Sequence, residues 1–140
     1  MVLARRLHRV FNAVVLFGVP IQFYAAGLAA FGAAEFTAHA MVGWSMILSG
    51  FLSAVLSLAA RREGVGAGLP ALLAGLLVLQ PVLAFGPRDT LPAVAALHAV
   101  NALAVAVVAW RVELSLRRSS PRPMEGVASS PRMAEGRAGA

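Results

Sequence analysis

Two histidines, His39 and His98, fall inside long stretches without a charged residue, and they carry the clearest capacity for chemistry in this sequence. The stretches are Val10–Ala34, Phe36–Ala60, Gly64–Pro87 and Thr90–Trp110. An ionisable group inside an apolar segment is costly to bury and normally has a partner. In an up-down bundle the second and fourth helices run in the same direction and stand diagonally opposite, so the two imidazoles are expected at one depth. A flat macrocycle between them would receive one neutral imidazole on each face of its iron. The expectation is one low-spin b-type haem, with His39 and His98 as the ligands of its iron.

Other residues fit the same site. At roughly 100° per residue, Gly43 and Gly50 share the face of His39, while Asn101 and Ala102 share that of His98. Small residues there would clear space for a ring, although they also let membrane helices approach closely with no cofactor present. Gln22 precedes His39 by 17 positions and Gln80 precedes His98 by 18, with Pro20 and Pro81 nearby. The chain therefore reads as two parallel hairpins, each with a glutamine going out and a histidine coming back. Arg88, with Thr37 or Thr90, is a candidate clamp for haem propionates; paired with Asp89 it is an ordinary loop arginine. His8 sits among arginines and is expected to be solvated. Without a cofactor, Gln22, His39, Gln80, His98 and Asn101 would serve as interhelical hydrogen-bond donors and acceptors. Two histidines with no adjacent carboxylate make a poor site for a bare metal ion.

The elements that must position these residues follow from composition. Apolar residues make up 59% of the 140 positions and charged residues 13%, with a mean hydropathy of +0.78. Soluble domains carry about 25% charged residues, so lipid is the natural solvent here. About 20 helical residues cross a hydrocarbon core of about 30 Å, and each charge-free stretch is long enough. The fold class is an all-α, integral membrane four-helix up-down bundle, with helices near 10–30, 37–60, 68–86 and 92–113. Pro70 suits the first turn of the third. Residues 1–9 form a basic N-terminus. The absence of cysteine excludes disulfides, thiolate-bound metals and covalent haem attachment.

All twelve basic residues are arginines. Arg5, Arg6 and Arg9 precede the first helix, Arg61 and Arg62 lie between the second and third, and Arg111, Arg117 and Arg118 follow the fourth, whereas only Arg88 falls in the other two connections. The positive-inside rule places both termini and the 61–68 loop in the cytoplasm, in a bacterial inner (plasma) membrane. This placement explains the net charge of +6 without nucleic acid. The first apolar run continues past its small residues Ala25, Ala26 and Gly27, so it is read as a retained span rather than a cleaved signal. Residues 119–140, rich in Ser, Pro, Arg, Gly and Ala, lack the apolar surface to fold and are expected to be a disordered tail.

The segments Gln22-Phe23-Tyr24-Ala25-Ala26-Gly27, His39-Ala40-Met41-Val42-Gly43, Leu79-Gln80 and Leu97-His98-Ala99-Val100-Asn101-Ala102 resemble a family of small bacterial four-helix membrane proteins classed as a domain of unknown function. The resemblance covers about residues 5–115. Members commonly have proline after the second histidine, where this chain has Ala99. The layout is also similar to b-type cytochromes and haem A synthase, in which histidines on alternate helices carry haem. That resemblance implies haem binding here, but of one haem only: the positions of a second ligand pair hold Leu52 and Ser53, and Arg111 and Val112.

Three functions follow in order: a single-haem protein for electron transfer or haem sensing, a cofactor-free accessory or scaffold subunit of a membrane complex or homo-oligomer, and a transporter. Ser45, Ser49, Ser53 and Ser57 repeat every four residues without an adjacent base and acid, so they do not read as nucleophiles. They are expected to bond to their own helix backbone or to a neighbour.

Overall fold

The computed structural model describes residues 2–59, 66–86 and 89–118; Arg61, Arg62, Arg88 and the tail 119–140 lie outside them. The described residues form five helices: α1 Val2–Ala30, α2 Thr37–Ala59, α3 Gly68–Phe85, the single turn α4 Pro92–Ala95, and α5 Leu97–Arg118. No strand occurs among them. The turn α4 and helix α5 make one span, Pro92–Arg118, and all four spans are long and apolar enough to cross a bilayer. Backbone groups in hydrocarbon must bond within their own segment, which a helix alone achieves without a closed barrel.

The surface carries the same message as the lengths. Phe17, Trp44, Phe51, Val82, Leu103 and Val107 are each more than half exposed. Such a continuous apolar surface would aggregate in water and is at home against lipid tails. The chain is a multi-pass membrane protein.

Each of the four spans packs on two others: α1 and α3 both touch α2 and α5, while the diagonal pairs stand apart. The core is a thin column of Val15 and Val19 from α1, Met46 from α2, Leu73 and Leu77 from α3, and Val105, Ala109 and Val112 from α5. Glycines bring the helices close. A Cβ on Gly18 would stand 2.6 Å from Met46 Sδ, and one on Gly50 would collide with Leu77.

The first hairpin turns on Gly32, whose φ of +72° lies in the left-handed region. Gly32 N–H bonds to the Ala29 carbonyl and Ala33 N–H to that of Leu28, a Schellman closure of α1. A residue with a Cβ is strained there, so glycine ends the helix and sends the chain into α2. Pro70 occupies the first turn of α3, and Pro92 opens α4, where a missing N–H has no helical partner to lose.

The helix ends extend beyond the charge-free stretches. α1 starts at Val2 rather than near 10, and α5 runs to Arg118 rather than 113. Arginine favours helix and can carry its charge out of the apolar region on a flexible stem. The basic residues at both ends therefore continue their helices instead of ending them.

Candidate functional site

At the end of the bundle away from Val2 and Arg118, α1 and α3 each present a glutamine and α2 and α5 each present a histidine. His39 Nδ1 lies 3.1 Å from the Gln22 carbonyl oxygen, and His98 Nδ1 lies 3.0 Å from that of Gln80. A carbonyl only accepts, so this bond places a proton on Nδ1 and leaves Nε2 with its lone pair. His98 has a second neighbour. With its amide turned to suit its surroundings, Gln80 directs nitrogen to the His98 carbonyl (3.0 Å) and to Nδ1 (3.1 Å), and its oxygen accepts from Ala102 N–H (3.3 Å). The His98 tautomer thus depends on which Gln80 group Nδ1 engages; at His39 the carbonyl sets it.

The two imidazole rings face one another across the bundle diagonal. Their centres are 6.0 Å apart and their planes are inclined at 58°. Phe36 meets His39 edge-on at 6.1 Å and holds one side of that ring. A cavity of about 550 Å³ contains both histidines and both glutamines, within an apolar wall that includes Phe23, Trp44 and Phe85. Small-molecule sites commonly have volumes of about 300–1,000 Å³, apolar walls and a few placed polar groups.

The expected site residues divide. Gln22, His39, Gly43, Gln80 and His98 all line this cavity. A Cβ on Gly43 would stand 2.7 Å from the Gln22 amide nitrogen, so a larger residue there would displace that side chain. Gly50 is outside the cavity, where it admits Leu77 from α3. Asn101 is also outside, donating to the Leu76 carbonyl at 2.8 Å and tying α5 to α3. Thr37 donates to Glu35 at 3.4 Å. Arg88, the candidate propionate clamp, lies outside the described residues. Ser45 and Ser57 donate to the carbonyls of Met41 (3.0 Å) and Ala54 (2.7 Å), within their own helix.

A second polar cluster, at the opposite end, was not legible as a site. His8 is 1% exposed, against the expectation that it is solvated, and neither ring nitrogen has a hydrogen-bond partner among the described residues. The cause is the early start of α1, which makes position 8 part of a packed helix. One turn on, Asn12 is fully buried and donates to the Ala109 carbonyl at 3.1 Å. Near them Glu113, 8% exposed, accepts from Arg9 (3.4 Å) and Arg117 (2.8 Å). No group of three or more His, Cys, Asp or Glu that would hold a metal ion occurs among the described residues.

Residues 22–87 match the model of a family of unknown function (DUF6220). This bears out the resemblance to a domain of unknown function, over a shorter part of the chain than residues 5–115. The match begins at Gln22, takes in His39, Gly43 and Gln80, and ends before His98. No curated protein and no solved structure matches the chain.

Proposed function

We propose that this protein is a small membrane cytochrome that holds one b-type haem between His39 and His98. The observation that carries this reading is the spacing of the two rings. Two imidazoles bound to one metal from opposite sides, with bonds of about 2.0 Å and about 1.15 Å from nitrogen to ring centre, have centres roughly 6.3 Å apart. The observed separation is 6.0 Å. Rings on opposite faces of a macrocycle adopt any angle about the shared axis, so an inclination of 58° is compatible. A ligand histidine commonly gives its other N–H to a carbonyl, which orients the ring and raises the basicity of the coordinating nitrogen. His39 and the Gln22 carbonyl have this arrangement.

The apolar wall suits the macrocycle, and the protein would set its iron's potential through axial ligation and burial. Both termini are cytoplasmic in this reading, which puts the haem toward the outer side of the bacterial inner membrane. With one ligand pair, the haem exchanges electrons with partners on one side or reports haem supply; it does not complete a path across the bilayer.

An optical spectrum tests the proposal. Protein purified in detergent and supplied with haem is expected to show a strong Soret band and, when reduced, a sharp alpha band. His39→Ala and His98→Ala should each lose the six-coordinate spectrum. A colourless preparation after reconstitution would overturn the haem reading.

That result would favour a cofactor-free accessory or scaffold subunit, and one observation supports this alternative. The Gln22, Gln80 and Leu76 carbonyls engage His39, His98 and Asn101, so these bonds close within the protein. Such bonds contribute about 1 kcal/mol each in membranes.

A further inference from the structure

The end of the bundle formed by the start of α1 and the end of α5 carries a groove between these two helices that the haem reading does not use. We infer that it is a binding site for one anionic phospholipid, its phosphate held by Arg6, Arg9 and Arg117 and an acyl chain lying along Val10, Ala13 and Phe17.

The groove, about 770 Å³ in volume, is polar at one end only. Its α1 wall is built at helical spacing by Arg6, Arg9, Val10, Ala13, Phe17 and Pro20, and its α5 wall by Trp110, Glu113 and Arg117. From Arg6 to Pro20 the axial distance is about 21 Å at about 1.5 Å per residue. That length matches a headgroup plus one leaflet of hydrocarbon, about 15 Å deep. Trp110 is half exposed beside the charged end, a position where indole rings favour the headgroup level.

Charge selects the occupant. Glu113 is bonded to both Arg9 and Arg117, so its carboxylate draws two guanidinium groups to one point across the groove. Each guanidinium has five N–H donors, and a carboxylate bond uses few of them. With Arg6 the mouth holds three positive charges against one negative, and arginine pairs with phosphate oxygens through its forked donors. A second copy of the chain, docked through the same face by a twofold axis, would oppose these arginines to themselves. A lipid phosphate complements them.

Native mass spectrometry of the detergent-purified full chain tests the site. The probes are phosphatidylglycerol and phosphatidylcholine with identical acyl chains, supplied in equal amount. Retained phosphatidylglycerol should exceed phosphatidylcholine, and Arg6→Ala and Arg117→Ala should each lower that ratio by up to about fivefold. Ala13→Trp fills the groove without altering charge and should reduce retention of both lipids. Arg111→Ala, at the same end but outside the groove, should leave the ratio unchanged. Helical circular dichroism equal to that of the parent protein qualifies each variant. Equal retention of the two lipids overturns the inference. So does an unaffected Ala13→Trp variant, an Arg111→Ala loss as large as that of Arg6→Ala, or a lipid-free dimer. None of these readouts depends on haem, so the site stands or falls separately from the cytochrome reading.

Discussion

The imidazoles of His39 and His98 come from helices whose backbones stand apart across the bundle, yet their centres are 6.0 Å apart. Each is tethered to the carbonyl of a glutamine 17 or 18 residues earlier, on the helix before its own. The two hairpins thus build equivalent halves of one site.

Exchange of one ligand should leave a measurable trace. In the haem-loaded protein, His39→Met would replace an imidazole with a thioether, and histidine–methionine ligation raises the reduction potential. Redox titration of the alpha band should therefore move to higher potential than in the parent. An unchanged potential would mean that His39 is not a ligand.

Gly43 offers a test of room rather than ligation. Its missing Cβ leaves space against the Gln22 amide, and Gly43→Leu would drive a side chain into the cavity. Overpacking commonly costs about 1–3 kcal/mol, and the adjacent empty volume places this variant at the low end of that range. The expected outcome is loss of the Soret band with helical content retained. Full haem occupancy in this variant would place the ring elsewhere.

The contact of α2 with α3 depends on Gly50 in the same physical way, with no cofactor involved. A side chain there collides with Leu77, whereas a Cβ on Gly75 meets nothing within 4 Å. Gly50→Leu should destabilise the bundle by about 1–3 kcal/mol by overpacking, and Gly75→Leu should be close to neutral. Thermal unfolding in detergent, followed by circular dichroism, separates the two. Equal midpoints would show that α2 and α3 do not approach as described.

Much of this arrangement could be read from residue order. The charge-free runs located the four spans, because lipid tolerates few charges, and the paired glutamine–histidine spacings pointed to two similar hairpins. Gly50 shares the angular face of His39 but stands 11 residues further along α2, about 16 Å away at about 1.5 Å per residue, so it meets Leu77 of α3 instead of lining the cavity. The helix ends are less legible, because the long stem of an arginine lets a helix continue beneath its charge past the charge-free run. A signal for His8 was present: His8, Asn12, Val15 and Val19 follow one another by four, three and four residues, a single inward stripe, and all four are buried. Val105, Ala109, Val112 and Leu116, also spaced by four, three and four, repeat the pattern on α5.

The stripe makes His8 an unusual case for substitution. A buried polar group without a partner bears its desolvation cost with no return, and replacing it with an apolar group of similar size is often neutral or stabilising. His8→Leu should therefore unfold at the same denaturant level as the parent or a higher one. Asn12→Leu loses the bond to the Ala109 carbonyl and should cost about 1 kcal/mol. A loss above about 1 kcal/mol in His8→Leu would reveal that the ring has a partner, such as a bound water making several hydrogen bonds.

Glu113 is expected to show an asymmetry between removing the anion and removing its cations. The Arg9 and Arg117 side chains are 48% and 62% exposed, against 11% for that of Glu113. Glu113→Gln releases two guanidinium groups that already reach solvent and can rehydrate, so the loss should stay near the exposed ion-pair range of about 0–1 kcal/mol. Arg9→Ala with Arg117→Ala instead leaves a mostly buried carboxylate without its two cations. Breaking a buried pair in that direction costs about 3–5 kcal/mol, and discounting for the exposed arginines brings the expected loss to roughly 2 kcal/mol. Equilibrium unfolding of the two variants in mixed micelles should therefore rank the arginine double variant well below Glu113→Gln. The reverse order would mean that Glu113 acts mainly to hold the arginines rather than being held by them.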